Sequence, residues 1–267
     1  MTTDDEWERW GQADPYYGVL TNDRFRRANL TEQARAEFMQ SGSAHAGHVL
    51  AVARRHLDPT FAPSRVLDFG CGVGRVVIPF ASLAPEAVGL DVAPSMLAEA
   101  RRNCDERGVT NVRLLLSDDD LSALDGDFDL VHSCIVFQHI EPTRGTRVFQ
   151  RLVERLRPGG IGALHVTFAW DAHADSYGQP PPPAPPPMPS RLQRMRANLA
   201  GRRGSPVAEE AATAPTDPEM QMYYYNLNEL MFVLHEAGVV KVHTEFTDHG
   251  GAWGTFLFFQ KAPPAAG

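Results

Sequence analysis

The chain has 267 residues, of which 33 are acidic and 25 are lysine or arginine, so its formal net charge is −8. This charge disfavours nucleic acid as the main partner, because non-specific binding of nucleic acid depends on neutralising phosphates. No apolar run reaches the length of a membrane span, no signal peptide is evident, and the three cysteines form no Cys-x-x-Cys pair, so we expect a cytoplasmic protein without a membrane partner.

Residues 1–60 precede the first predicted strand, and we expect them to form a helical extension. Aromatic side chains are frequent among the first 30 residues, and they either pack on the sheet or fold over a pocket. Thr31 is the expected N-cap of one or two helices that end before Pro59. His45 and His48 have a spacing compatible with a shared metal, but no third ligand is near, so we expect ordinary surface or core histidines.

A strand, a glycine turn and a helix are predicted over residues 66–83. Asp68 ends the apolar run, and the glycines alternate as Gly70-x-Gly72-x-Gly74, so a ligand can lie directly against the bare backbone. A dinucleotide fingerprint would need a further glycine where this chain has Arg75, and a carboxylate at the mouth of the turn suits a cationic ligand better than a phosphate. Taken alone, the motif also fits a tight turn without a ligand.

Four more landmarks follow at regular distances. An apolar run over residues 87–91 ends at Asp91, another over 111–116 leads into the acidic run 117–120, and a third over 127–134 contains Ser133. A helix then ends with proline and glycine before a fifth strand from Ile161. This alternation predicts one α/β domain with additions.

The order and spacing of these five landmarks, over residues 64–170, resemble those of the class I S-adenosylmethionine-dependent methyltransferases, whose first motif is an apolar pair, an acidic residue and Gly-x-Gly-x-Gly. The resemblance implies a Rossmann-like, doubly wound α/β sheet of seven strands, mostly parallel with an antiparallel last strand, plus the N-terminal helical segment. It also implies S-adenosyl-L-methionine as the cofactor. Residues 61–175 and 219–264 would form the domain that binds it.

By this resemblance, Asp91 would hold both ribose hydroxyls, Met96 would rest against the adenine, and Asp118 would accept from the adenine amino group. The alternative for Asp91 is a cap on the following helix. A neighbour of Asp118 would cap a short helix beginning near Leu121, whereas a calcium loop lacks its alternating acids and closing glutamate here. The predicted cofactor contacts are Asp68, Gly70, Cys71, Gly72, Gly74, Arg75, Asp91, Val92, Met96, Asp118, Asp119 and Ser133.

The loop after the fourth strand faces the transferred methyl group in a doubly wound sheet, because ligands bind beyond the carboxyl ends of the strands. Many family members have a similar Phe-Gln-His-Ile run there. His139 is therefore the candidate general base; alternatively, its imidazole hydrogen-bonds the backbone and fixes the loop. His132 lies within the strand and is expected to be a core residue. The predicted substrate contacts are Tyr16, Tyr17, Gln138, His165 and Tyr224.

Residues 176–218 interrupt the alternation with a proline-rich run followed by arginines. This insertion is either a lid specific for the substrate or a mobile solvated loop, and its composition favours the loop. The N-terminal segment has a similar pair of interpretations, a lid or plain packing. After the insertion we predict a helix from Leu227 to Ala237 and strands over 239–246 and 255–260, which would close the sheet as an antiparallel hairpin.

Together these features predict a methyltransferase that moves a methyl group to an oxygen or nitrogen of a small molecule, such as a secondary metabolite, by in-line displacement and without a catalytic metal. The alternatives are a non-catalytic protein that binds S-adenosylmethionine, a nicotinamide-dependent oxidoreductase, and an RNA or protein methyltransferase. A homodimer is the assembly considered. Replacing Asp68 by Ala or Gly72 by Val is expected to abolish cofactor binding.

Overall fold

The structure is a computed structural model that describes residues 2–170 and 217–264. Within these residues the α-helices are α1 (Thr3–Ala13), α2 (Pro15–Val19), α3 (Glu32–His56), α4 (Val77–Ala81), α5 (Pro94–Glu106), α6 (Pro142–Glu154) and α7 (Leu227–Glu236). The strands are β1 (Arg65–Phe69), β2 (Glu86–Asp91), β3 (Val112–Leu116), β4 (Phe128–Ser133), β5 (Leu156–Trp170), β6 (Val239–Asp248) and β7 (Ala252–Lys261). Short 3₁₀ segments occupy Asp23–Phe25 and Phe137–His139.

The seven strands form one sheet in the order β3-β2-β1-β4-β5-β7-β6. Strands β1 to β5 pair in parallel, whereas β7 runs antiparallel to both β5 and β6. This confirms the predicted doubly wound sheet with an antiparallel last strand. The strand order reverses between β1 and β4, and in such sheets the crevice beyond the carboxyl ends of these two strands is where ligands bind.

Both faces of the sheet are covered by helices, which is why β1 and β4 are buried along almost their whole length. On one face α3 and α4 bury Phe38 and Phe80 completely. On the other face α6 and α7 bury Phe149 and Leu230 completely. Because side chains alternate along a strand, Asp68 lies on the α3 face and its neighbour Phe69 on the α6 face.

The long helix before the sheet is continuous over 25 residues. Its predicted N-cap is confirmed, because the Thr31 side chain accepts a hydrogen bond from the Ala34 amide. The helix packs on the sheet through Ala46 and Val49, both fully buried. This packing brings residues of the first fifth of the chain against β4 and β7.

One predicted boundary and one predicted helix are wrong. The fifth strand begins at Leu156, ahead of the predicted Ile161, because Leu156 pairs with Phe128 and the ladder then shifts register, so that the Pro-Gly-Gly run lies inside an irregular strand start. The short helix expected near Leu121 does not form. Residues 118–124 make turns instead, with Leu121 at φ +52°.

The predicted insertion, 176–218, lies outside the described residues except for its last two positions. None of the helices in the described ranges is both long enough and apolar enough to cross a lipid bilayer.

Candidate active site

A cavity of about 440 Å³ lies beyond the carboxyl ends of β1, β2 and β4. One part of its wall, which we call the glycine-turn end, contains Gly70, Gly72 and Asp91. Another part, which we call the histidine end, contains His139 and His249. Further wall residues come from α1 and α2, from the loop after β4, and from residues just before α7; among them are Thr3, Asp4, Trp7, Val19, Leu20, Ile140, Met220 and Met222.

The glycine turn has no room for side chains. Gly70 has φ +72°, and a Cβ built there would lie 2.3 Å from Val136 Cγ2. Gly72 has φ +52°, and its Cβ would lie 2.7 Å from Val19 Cγ2. The turn is tied to the neighbouring strand, because the amides of Gly70 and Cys71 both donate to the Leu90 carbonyl. The bare backbone at this end therefore follows from steric need as well as from the turn geometry.

Asp91 holds the turn and faces the cavity at the same time. One carboxylate oxygen accepts from the Gly72 amide at 2.8 Å and the other from the Ala93 amide at 2.9 Å. Burial raises the pKa of Asp91 to about 6, and these backbone hydrogen bonds limit the rise. Val92 and Met96 line the wall beside it. Asp91 thus bonds the amide of Ala93, the N-cap residue of α5, without capping the first helical turn, and it presents an acceptor to the cavity.

The acidic run after β3 is arranged differently from the prediction. Asp118 is exposed, and its carboxylate accepts from the Asp120 and Ser122 amides and from the Ser122 hydroxyl, which lowers its pKa. Asp118 therefore caps its own turn, although it lies at the cavity wall. Asp119, also at the wall, accepts from Arg144 at 2.7 Å.

Arg144 joins the N-terminal helix to the body of the protein. Its guanidinium donates to both oxygens of Asp4 at 2.8 Å and to Asp119 at 2.7 Å. These two carboxylates raise the pKa of Arg144. Glu8 adds a second tie, because its carboxylate accepts from the amide and the hydroxyl of Ser95 at the start of α5. Helix α1 is therefore held across the cavity at two points.

The loop after β4 carries backbone strain at the cavity wall. Ile135 has φ +59°, a left-handed conformation that is unusual for a β-branched residue. Cys134, Ile135 and Val136 all line the cavity. The preceding residue, Ser133, is fully buried and does not line it, and its hydroxyl has no hydrogen-bond partner within the described part of the chain.

His139 is buried, and both of its ring nitrogens are engaged. Nδ1 donates to the Gln221 carbonyl at 2.8 Å, which fixes the tautomer and leaves a lone pair on Nε2. That lone pair faces Gln138 Nε2 at 3.1 Å, and Gln138 Oε1 accepts from the Thr167 hydroxyl. Burial lowers the pKa of His139, and the Trp7 ring packs edge-on against it at 4.9 Å.

A second histidine, His249, lines the cavity from the turn between β6 and β7, and no sequence motif pointed to it. Partial burial lowers its pKa, and the nearby Asp248 opposes that effect. The predicted substrate contact His165 lies behind it. His165 is fully buried, its ring centroid is 5.3 Å from that of His249, and its Nε2 lies 2.8 Å from the Thr247 hydroxyl.

Several predicted site residues do not line the cavity. Tyr16 is buried, with its hydroxyl 2.8 Å from Glu99 Oε1 and 3.0 Å from Asn103 Oδ1, and burial raises its pKa. The Arg26 guanidinium covers the ring of Tyr17, and Tyr224 packs near Trp170. The predicted cofactor contacts that lie behind the wall are Asp68, Cys71, Gly74, Arg75 and Ser133. Those at the wall are Gly70, Gly72, Asp91, Val92, Met96, Asp118 and Asp119.

Asp68 and Arg75 both approach the wall at Cys134. Asp68 Oδ1 lies 2.7 Å from His132 Nδ1, and its other oxygen is buried without a hydrogen-bond partner among the described residues. Arg75 is buried, with Nη2 3.9 Å from Cys134 Sγ and with Nε unpartnered in the described ranges. Both side chains thus hold charge one layer behind the cavity surface.

The histidine pair of α3 does not form a metal site. His45 Nε2 lies 2.9 Å from His132 Nε2, whereas His48 Nε2 lies 2.7 Å from Glu245. Over residues 2–170 and 217–264, no three side chains of His, Cys, Asp or Glu are arranged to hold a metal ion.

Residues 66–160 match the methyltransferase domain family. A ubiquinone biosynthesis O-methyltransferase of Cereibacter sphaeroides is 32% identical over 155 residues, 58% of this chain and 56% of that protein. An uncharacterized methyltransferase of Synechocystis is 34% identical over 100 residues, 38% of this chain and 45% of that protein. The chain thus spans about half the length of these relatives.

Among solved structures, the magnesium protoporphyrin IX methyltransferase of Synechocystis with bound S-adenosylhomocysteine has a similar fold. Its TM-score is 0.56 at 17% identity, over 93% of this chain and 98% of that one. At this identity the likeness concerns the fold.

Proposed function

We propose that this chain is a class I methyltransferase that transfers the methyl group of S-adenosylmethionine to an oxygen of an apolar small molecule. The observation that carries the proposal is a single cavity that joins a side-chain-free glycine turn and a buried carboxylate, Asp91, to two histidines, His139 and His249. One end suits a nucleoside and the other suits a proton transfer. The cited O-methyltransferase of Cereibacter sphaeroides supports the same reaction class.

The residues at the glycine-turn end fit the cofactor. Gly70 and Gly72 place backbone without side chains at the wall, Asp91 presents a carboxylate to accept from a ribose diol, and Val92 with Met96 offers an apolar wall for a purine ring. Behind this wall, the unpartnered Asp68 oxygen and the buried Arg75 guanidinium match an ammonium and a carboxylate in charge. We therefore assign the cofactor's nucleoside to the glycine-turn end. When bound, the cofactor supplies a methyl group already activated on a sulfonium.

The wall at the histidine end favours a neutral, apolar acceptor. Trp7, Leu20, Met220 and Met222 contribute aromatic and aliphatic surface. Arg144 is the single lysine or arginine among the described wall residues, and Asp4 and Asp119 already neutralise it. Phosphate groups would find no free cation there, so a nucleic acid is disfavoured as the acceptor.

The chain's main task is to align the acceptor oxygen with the methyl group, since good alignment can contribute about 7–11 kcal/mol. A general base adds a factor of about 10² to 10⁴ for a hydroxyl acceptor. His139 is in the tautomer that a base needs, but its Nε2 lone pair is engaged by Gln138. His249 has no hydrogen bond to its ring from any described residue. We propose that His139 accepts the proton after Gln138 turns its amide away, and that His249 is the competing candidate.

The test combines binding with turnover. Calorimetry with S-adenosylmethionine, S-adenosylhomocysteine and NADH is expected to show binding of the two sulfur compounds alone, and NADH binding alone would refute the assignment. A panel of phenols, quinols, carboxylic acids and amines is then assayed for formation of S-adenosylhomocysteine, with turnover of a phenol or quinol expected. Sulfur-compound binding without turnover of any member would favour a non-catalytic protein.

Matched alanine substitutions distinguish which of the two histidines acts as the general base. His139→Ala is expected to lower kcat about 10²- to 10⁴-fold with the affinity for S-adenosylhomocysteine within a few-fold, whereas His249→Ala should lower kcat far less. The reverse ranking would transfer the base role to His249.

A further inference from the structure

A chain of three polar side chains is buried on the α3 face of the sheet, behind the glycine-turn end of the cavity. Asp68 and His132 are register partners on β1 and β4, and Asp68 Oδ1 lies 2.7 Å from His132 Nδ1. His132 Nε2 lies 2.9 Å from Nε2 of His45 on α3. His132 is completely buried and Asp68 is 3% exposed, so water does not reach this pair.

The hydrogen-bonding groups fix the direction in which protons are donated. An ionised carboxylate can only accept, so His132 Nδ1 carries the proton of the first hydrogen bond. Burial, and next the neighbouring His132, lower the pKa of His45 to about 2, so His45 is neutral at physiological pH. One Nε2 of the pair donates and the other accepts, so a single proton joins His45 to His132. The three side chains are thus joined in series, with Asp68 at one end and His45 at the other.

Aromatic rings surround the three hydrogen-bonded side chains and exclude water from them. The Phe80 ring lies 5.2 Å from His132, and the Phe256 ring lies 5.4 Å from His45. Neither ring can replace the hydrogen bonds that the histidines make. The two contacts with His132 and His45 therefore determine where the Asp68 carboxylate points, as a hydrogen-bonded carboxylate does for a histidine that binds a metal.

One carboxylate oxygen is left over. Asp68 Oδ2 is buried and has no hydrogen-bond partner within residues 2–170 and 217–264, and in those ranges no lysine or arginine forms an ion pair with Asp68. Leaving an acceptor of an ionised group unsatisfied in the interior is unfavourable, and it is relieved by a cationic donor. The residues that follow Asp68, Phe69 and Gly70, line the cavity, so such a donor can arrive from that side.

We propose that His132 and His45 are positioning residues that hold the Asp68 carboxylate so that its Oδ2 accepts from the α-ammonium group of the bound cofactor. The inference rests on the proposed function and deepens it, since it assigns a role to two histidines that do not touch the cavity. His45 orients His132, His132 orients Asp68, and Asp68 binds the ligand. Substitution of either histidine should therefore weaken the binding of one functional group of the ligand, its α-ammonium group.

The experiment compares two ligands on the full chain by calorimetry: S-adenosylhomocysteine, and its desamino analogue, which keeps the carboxylate and lacks the amine. The ratio of their Kd values isolates the amine, in the manner of a double-mutant cycle. The wild-type chain is expected to prefer S-adenosylhomocysteine by about 10- to 100-fold, the value of one hydrogen bond to a charged group. His132→Leu should reduce this preference to less than about threefold by weakening only S-adenosylhomocysteine.

Two further variants keep the test valid if His132→Leu folds poorly. His132→Asn retains an N–H donor near the position of Nδ1 and should restore most of the preference. His45→Phe keeps an aromatic ring at position 45, which is the least buried of the three hydrogen-bonded residues, and should reduce the preference about 3- to 10-fold. His165→Leu is the matched control, because His165 is equally buried on a neighbouring strand and makes no hydrogen bond to Asp68; it should change both affinities alike.

The outcomes distinguish an error in the positioning role of the histidines from an error in the proposed function. If His132→Leu weakens both ligands equally, or neither, the histidines serve packing alone and their positioning role is wrong, while the cofactor assignment stands. If the wild-type chain binds neither ligand, the proposed function and the positioning role are both wrong.

Discussion

The two ends of the cavity are built over very different distances along the chain. At the glycine-turn end, the Gly72 amide and the Asp91 carboxylate that bonds it are 19 residues apart, within one strand-helix-strand unit. At the histidine end, Arg144 bonds Asp4 across 140 residues and His139 bonds the Gln221 carbonyl across 82. The first end is set by local chain geometry, and the second by contacts between separate segments.

The two ends also differ in what holds them. Backbone amides and the adjoining strand fix the glycine turn, with both Gly70 and Cys71 bonded to Leu90. Side-chain ion pairs fix α1 over the histidine end. Backbone ladders inside a sheet open only with the whole fold, whereas partly exposed ion pairs break one by one. We therefore expect changes at the glycine-turn end to abolish binding, and changes in the α1 contacts to tune it.

The largest effect is expected for Gly70→Ala. The added Cβ would lie 2.3 Å from Val136 Cγ2 at a residue with φ +72°, so either the turn or the loop after β4 must move. We predict a loss of S-adenosylhomocysteine affinity of roughly 100-fold or more, because overlap and left-handed strain add. Calorimetry measures the affinity, and thermal unfolding measures stability in parallel.

Gly108→Ala is the matched control for this prediction. Gly108 has a similar φ of +63°, but nothing lies within 4 Å of its Cβ position, at the end of α5. Both variants carry the same kind of backbone strain, so the stability loss common to them reports that strain. Gly108→Ala should leave the affinity within about twofold. Equal affinities in the two variants would mean that the turn does not contact the ligand.

The contrast between the two ends explains which site residues could be predicted from the sequence. Gly70, Gly72 and Asp91 were predicted at the site because strand order and turn spacing are local patterns, and the structure places all three at one cavity wall. His249 was missed because the predicted hairpin did not show where its turn lies. The turn reaches the cavity because β7 pairs with the distant strand β5. The same applies to the bond between His45 and His132, which spans 87 residues.

Other predicted contacts already have partners within the protein. Asp118 was predicted to bind adenine and lies at the cavity wall, and the Ser122 amide and hydroxyl four residues away bond its carboxylate. Tyr16 was predicted to contact substrate, but α5 offers it Glu99 and Asn103 within the core. A sequence identifies a polar or aromatic side chain, whereas the partner that captures it depends on packing.

The next effect in size concerns the pH dependence set by Asp91. Its pKa in the ligand-free fold is about 6, above the ordinary value of 3.8, so between these values the folded chain binds more protons than the unfolded one. The contribution of Asp91 to the free energy of unfolding therefore falls as pH rises from about 4 to about 6, and is constant above. Hydroxyl donors of a ribose need the ionised form, so affinity should change in the opposite sense.

Calorimetry from pH 8 to pH 5 is the measurement for this second prediction. The Kd for S-adenosylhomocysteine should be flat above about pH 6 and rise by up to about tenfold for each unit below it, because the ligand must then displace a proton. Asp91→Asn is the control, with weaker binding that has lost this slope. A slope that persists in Asp91→Asn would have to come from another group, such as His139, and would contradict the assignment.

The smallest effect is expected at the histidine end, from Arg144→Ala. This change removes the bidentate pair with Asp4 and the bond to Asp119, which are partly buried, so we predict a loss of about 1 kcal/mol in the local stability of α1. Amide hydrogen exchange should show about five- to tenfold lower protection in α1 with the central strands unchanged, and the Kd for S-adenosylhomocysteine should rise about two- to fivefold.

Arg151→Ala is the control, because Arg151 lies on the same helix and pairs with the more exposed Asp120 without touching α1. Since exposed pairs contribute little, that variant should leave α1 protection as it is. If Arg144→Ala lowers protection in β1 and β4 as strongly as in α1, the guanidinium supports the whole fold, and the division of the cavity into a fixed end and an adjustable end is wrong.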